Sequence, residues 1–158
     1  MTTDTQQPDR LLFLEDFVVG QVFELGTTTI SAAEIVAFGR QFDPQPFHVD
    51  EAAALESPFG GLIASGWHSC AVLMRLWYEA VLRVSVSLGS PGVDEVRWLE
   101  PVRPGDVLTG RGEVLAVRPS ERRPERGTAV VRMTLENEEG ETVVSFVGRA
   151  LFGRRPAE

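Results

Sequence analysis

Gln21 to Ile30 (QVFELGTTTI) alternates apolar with polar positions and is rich in β-branched residues, which predicts a first strand. The period then lengthens. Ser31 stands where a helix N-cap belongs, Glu34 follows three residues later as its capping-box partner, and Ile35, Val36, Phe38 and Gly39 continue at helical spacing. This short helix is expected to end near Phe42. The prolines of Asp43-Pro44-Gln45-Pro46 each remove a backbone donor and push the residue before them toward an extended conformation. Asp43 and His48 are therefore expected on a stiff, kinked loop. Asp50 can cap a second short helix through Ala54, and Ser57-Pro58-Phe59-Gly60-Gly61 reads as a turn. From Gly66 to about Val84, the residues Trp67, Cys70, Ala71, Met74, Trp77, Tyr78 and Val81 recur every three or four positions, which predicts a long helix with one broad apolar face.

The remaining chain returns to strand periodicity at Val93 to Leu99, Val107 to Val117, Thr128 to Asn137 and Thr142 to Phe152. In the third of these, Ala129, Val131, Met133 and Leu135 share one face, and Val130, Arg132, Thr134 and Glu136 the other. Asn137-Glu138-Glu139-Gly140 and Pro104-Gly105-Asp106 supply tight turns. One strand, short helices, a long helix and four strands describe an α+β domain, an antiparallel sheet wrapped around a central helix, which matches a single hotdog fold. Residues 1–10 are polar and aperiodic and read as a disordered tail, with the domain spanning 11–153. One sheet covers only one side of such a helix, so a homodimer at least is expected.

The composition narrows the function. Hydrophobic residues are 43% of the 158 and the formal net charge is −8, which suits a globular domain and disfavours nucleic-acid partners. All 15 basic residues are arginine, so a lysine Schiff base or phosphate-loop lysine is excluded. Cys70 is the single cysteine and no leader pattern precedes the domain, so a cytoplasmic location is expected. His68, Arg75, Glu79 and Arg83 interrupt the longest apolar stretch, which argues against a membrane span. No His, Cys and Asp cluster has metal-ligand spacing, and no cofactor is expected.

The candidate chemistry sits between the first helix and the long one. His48 follows Asp43 by five positions across two prolines, a spacing that can bring an imidazole titrating near neutrality beside a carboxylate. The same residues suit a capping contact in a surface loop. Downstream, Phe59-Gly60-Gly61-Leu62-Ile63-Ala64-Ser65-Gly66 leads into the long helix, whose first amides and positive dipole end could hold a carbonyl oxygen as charge builds on it. Those glycines equally suit close backbone packing.

Asp43-Pro44-Gln45-Pro46-Phe47-His48-Val49-Asp50 resembles the motif Asp-x-Asn-Pro-aliphatic-His-x-Asp of the MaoC-like dehydratases, hotdog-fold enzymes that include the (R)-specific enoyl-CoA hydratases. FGGLIASG (59–66) and PVRPGD (101–106) extend the resemblance over nearly the whole chain. It implies interconversion of trans-2-enoyl and (R)-3-hydroxyacyl thioesters of coenzyme A or acyl carrier protein. Asp43 and His48 would form the acid/base pair, and Gly61, Ser65, Gly66 and Trp67 would line the oxyanion and substrate site. Gln45 in place of asparagine, Phe47 in place of a smaller aliphatic residue and Phe42 in place of a common glycine adjoin the pair, where they and His68 could shape the acyl pocket. Trp67, Trp77 and Tyr78 are candidates for an acyl tunnel, and Arg40, Arg97 and Arg103 for the anionic carrier. Two other readings stay open: a hotdog thioesterase using Glu79, and an acyl-binding subunit without turnover.

Overall fold

The protein is described by a computed structural model over residues 10–157; most of the segment read as a tail lies outside the described residues. Five strands form one antiparallel sheet in the order β1-β3-β4-β5-β2. They are β1 (Val22–Thr29), β2 (Gly92–Trp98), β3 (Val107–Pro119), β4 (Arg126–Glu136) and β5 (Thr142–Gly153). Between β1 and β2 lie α1 (Ala32–Phe42), α2 (Pro46–Val49), α3 (Glu51–Glu56) and α4 (Gly66–Ala80). This is the expected α+β hotdog arrangement.

Alternation decides which face of the sheet meets α4. Ala129, Val131, Met133 and Leu135 are buried while Arg132 is exposed, as period two requires. The outer face carries ion pairs between neighbouring strands, Arg111 with Glu24 at 3.4 Å and Arg132 with Glu113 at 3.5 Å. Asn137 makes the β4–β5 turn by accepting the amides of Glu139 and Glu141 at its Oδ1, at 3.1 and 2.9 Å. Register shifts in all four strand pairings bend the sheet around the helix.

The buried line of α4 differs from the expected stripe. Ser69, Leu73 and Trp77, followed by Val81, face the core, whereas Trp67, Met74 and Tyr78 are exposed. The helix is apolar over more than half its circumference, so periodicity gives a wide band, and packing on β1 and β3 selects which part is covered. The small Ser69 belongs to the buried line although it is not apolar. Trp77 sits at the centre, edge-on to Phe23 with ring centroids 5.9 Å apart.

Candidate active site

The site is assembled from the end of α1, all of α2 and the start of α4. Ser31 and Glu34 make the expected reciprocal cap, at 2.8 and 3.1 Å, which fixes where α1 begins. α1 runs to Phe42, and Asp43 is its C-cap, with its amide on the Gly39 carbonyl at 2.9 Å. The two prolines then act differently. Pro44 stops α1, but Pro46 occupies the first position of α2, where the missing N–H costs nothing, so His48 lies on a helical turn rather than on a loop.

Gly39 lets that turn come close. A Cβ there would lie 2.9 Å from the His48 carbonyl oxygen and from a Val49 methyl. The absence of a side chain at Gly39 thus allows α2 to dock on α1 and aims His48 inward. His48 is 4% exposed. Its Nδ1 lies 2.7 Å from the Ile63 carbonyl oxygen, and its Nε2 lies 3.3 Å from Asp43 Oδ2. A carbonyl only accepts, so Nδ1 carries a hydrogen and Nε2 is the nitrogen free to exchange a proton.

Asp43 is held from three sides. Ser65 Oγ donates to Oδ2 at 2.7 Å, Gln45 Nε2 donates to Oδ1 at 2.8 Å, and His48 faces Oδ2. Burial pushes the Asp43 carboxyl up, but the hydrogen bonds from Ser65 and Gln45 and the attraction of His48 outweigh it and leave the group below its ordinary value. Asp43 is thus an oriented carboxylate throughout the neutral range.

The loop before α4 is stitched in place by backbone bonds, Ile63 N to Phe47 O at 3.1 Å and Ala64 N to Val102 O at 2.8 Å. Ser65 is the N-cap residue of α4, yet no side chain caps this helix. The first bond of α4 runs from Ser69 N to Ser65 O at 3.1 Å, which leaves the amides of Gly66, Trp67 and His68 without an acceptor among the described residues. Trp98, at the end of β2, packs against Gly66 and is met edge-on by Trp67 at 5.0 Å.

The structure brings together Asp43, Gln45, His48 and Ser65, with Gly66 and Trp67 following at the helix start. Phe47 packs edge-on against Phe59 at 5.0 Å behind His48, and Gly61 lies under the Arg103 guanidinium, which donates to the Phe59 carbonyl at 2.7 Å. His68 turns toward α1 and stacks on Phe38 at 4.6 Å, with its Nδ1 buried and without a partner among the described residues; burial lowers its pKa and Glu34 opposes that fall. Arg97 pairs with Glu95, and Glu79 pairs with Arg75 and Arg83 far along α4. Burial raises the Cys70 thiol, with nearby Trp98 opposing the rise. Two contributors carried no sequence signal: the Ile63 carbonyl, a backbone group any residue supplies, and Trp98, distant in sequence.

Along α4 from Trp67 to Trp77, facing β2, β4 and β5, lies an apolar cavity of about 470 Å³, lined by Trp67, Met74, Trp77, Val96, Phe146 and Gly148 among others. Among the described residues no three His, Cys, Asp or Glu side chains are grouped to hold a metal ion, and no helix is long and apolar enough to cross a membrane.

Comparison with known proteins agrees with this architecture. The MaoC like domain matches residues 16–137. The MaoC-like dehydratase of Rhodospirillum rubrum is 43% identical and superposes with a TM-score of 0.84, over 92% of this chain and 99% of its own. The 3-hydroxybutyryl-CoA dehydratase of Methylorubrum extorquens is 32% identical over 72% of this chain and 71% of its own length. The (R)-hydratase of A. caviae involved in PHA biosynthesis is 25% identical, with a TM-score of 0.71 over 90% of this chain and 99% of its own. With a matching family model over most of its length and relatives of this similarity, the chain belongs to the MaoC-like dehydratases.

Proposed function

We propose that the protein hydrates trans-2-enoyl thioesters to (R)-3-hydroxyacyl thioesters, and catalyses the reverse dehydration, with Asp43 and His48 as its acid/base pair. The observation that carries this reading is the pair itself: a carboxylate pinned by Ser65 and Gln45, facing an imidazole whose Nδ1 hydrogen is committed to Ile63 and whose Nε2 is free. A water held by the two loses one proton to the pair as its oxygen bonds C3, and C2 receives one proton from the pair. The pair ends each turnover as it began. The unsatisfied amides at the start of α4 stand beside it to receive the thioester oxygen as charge moves onto it. The chemistry needs no cofactor. Loss of the conjugated-thioester absorbance of crotonyl-CoA and longer enoyl-CoA substrates tests the reading; no loss with any of them would end it.

The apolar cavity is the acyl site in this proposal, and its 470 Å³ lies within the range of small-ligand pockets. The best substrate is therefore expected to have a longer chain than crotonyl-CoA. Met74→Trp fills part of the cavity and is expected to shift the preference toward crotonyl-CoA by about tenfold in relative kcat/KM. An unchanged ranking would place the chain elsewhere.

The exposed apolar groups along this edge of the sheet support a homodimer. β2 is an edge strand, and Val93 (51%), Trp98 (47%) and Leu99 (51%) are exposed along or beside it. Light scattering is expected to give twice the chain mass, and an arginine at Val93 to shift it toward the monomer. A monomeric parent protein would refute this.

A further inference from the structure

The caps of α1 and α3 follow the ordinary rule, while α2 begins with Pro46 and has no side-chain cap. Ser31 accepts the Glu34 amide at 3.1 Å to cap α1, and Asp50 accepts the Ala53 amide at 3.0 Å to cap α3. α4, at 15 residues the longest helix, has a serine at the same position and no side-chain cap. Ser65 is completely buried, so water does not supply an alternative partner. Its hydroxyl is 2.7 Å from Asp43 Oδ2, the same oxygen that faces His48 Nε2.

We propose that Ser65 is a positioning residue whose hydroxyl is diverted from capping α4 to holding Asp43, so that one side chain orients the carboxylate and leaves the first amides of α4 open for the thioester oxygen. This rests on the hydratase reading and assigns Ser65 a part in it that does not require contact with substrate. The geometry explains why a serine stands there. Asp43 Oδ2 must turn toward His48, and Gln45 restrains only the other oxygen, so without Ser65 the carboxylate can rotate about its last bond. A hydroxyl that capped α4 instead would occupy an amide the substrate needs.

Ser65→Ala and Ser65→Cys test this, the second keeping the volume of a buried side chain while offering only a weak donor. Both are expected to lower kcat about ten- to hundredfold, the usual worth of a hydrogen bond to a charged group, with KM little changed because the amides stay open. Asp43 loses a hydrogen bond that lowers its pKa, so its carboxyl titration, followed by carbon NMR, is expected to move to higher pH in both variants. Unchanged kcat and unchanged Asp43 titration in a folded variant would overturn the positioning role. A parent protein inactive on every enoyl thioester, with the Asp43 titration still moved in the variants, would remove the hydratase reading and keep the hydrogen-bonding role of Ser65.

Discussion

Asp43→Asn is expected to lower enoyl-CoA hydration by ~10²–10⁴-fold while leaving the fold intact. The substitution changes charge with almost no change of shape. An asparagine can still accept from Gln45 or Ser65 and still face His48 Nε2, so the neighbours remain in place. It cannot act as a base, and it cannot balance an imidazolium at His48 when the water proton is taken. The stability effect has a definite sign. Because the folded state holds the Asp43 carboxyl below its ordinary value, the charged form contributes stability above that value and loses it as pH falls through the folded value. The asparagine variant lacks that step, so its acid unfolding is expected to be less steep while its unfolding at neutral pH stays cooperative. His48→Gln is expected to match the loss of activity. Full activity in either variant, measured by the absorbance change with crotonyl-CoA, would remove the pair from the mechanism.

Local rules made much of this site legible. Ser31 and Glu34 announced the start of α1, the prolines announced its end, and strict alternation gave the buried face of β4, because each depends on residues within a turn or on one strand. The nearness of Asp43 and His48 followed from the same short segment. What proximity in sequence could not give was orientation. His48 is aimed by a carbonyl fifteen positions later, and by the missing side chain of Gly39, which matters only because α2 folds back onto α1. The stripe on α4 was misplaced for a related reason: an apolar band wider than its contact leaves the choice of face to the sheet. Ser65 could be read as a substrate contact at the helix entrance, but its bond to Asp43 joins residues twenty-two apart and depends on how the loop before α4 is stitched to α2 and Val102.

Gly66→Ala is expected to lower kcat/KM by ~10²-fold, although helix propensity alone argues the other way. Alanine is favoured over glycine within a helix by up to about 1 kcal/mol, so an isolated α4 would gain from the change. In the folded chain the new Cβ would lie 2.5 Å from two ring atoms of Trp98 and 2.7 Å from a third, closer than nonbonded atoms approach. Either the indole or the first turn of α4 has to move. Trp98 is 47% exposed but is braced by Trp67, so part of the shift is expected to fall on the helix and its open amides. A displacement of an ångström there is enough to cost about 10²-fold. The double variant Gly66→Ala/Trp98→Ala separates the causes, since removing the indole removes the collision. Most of the lost activity is then expected to return relative to Trp98→Ala alone. If Gly66→Ala costs as much without the indole as with it, the damage does not pass through Trp98, and the close approach of β2 to the helix start has no part in holding the amides.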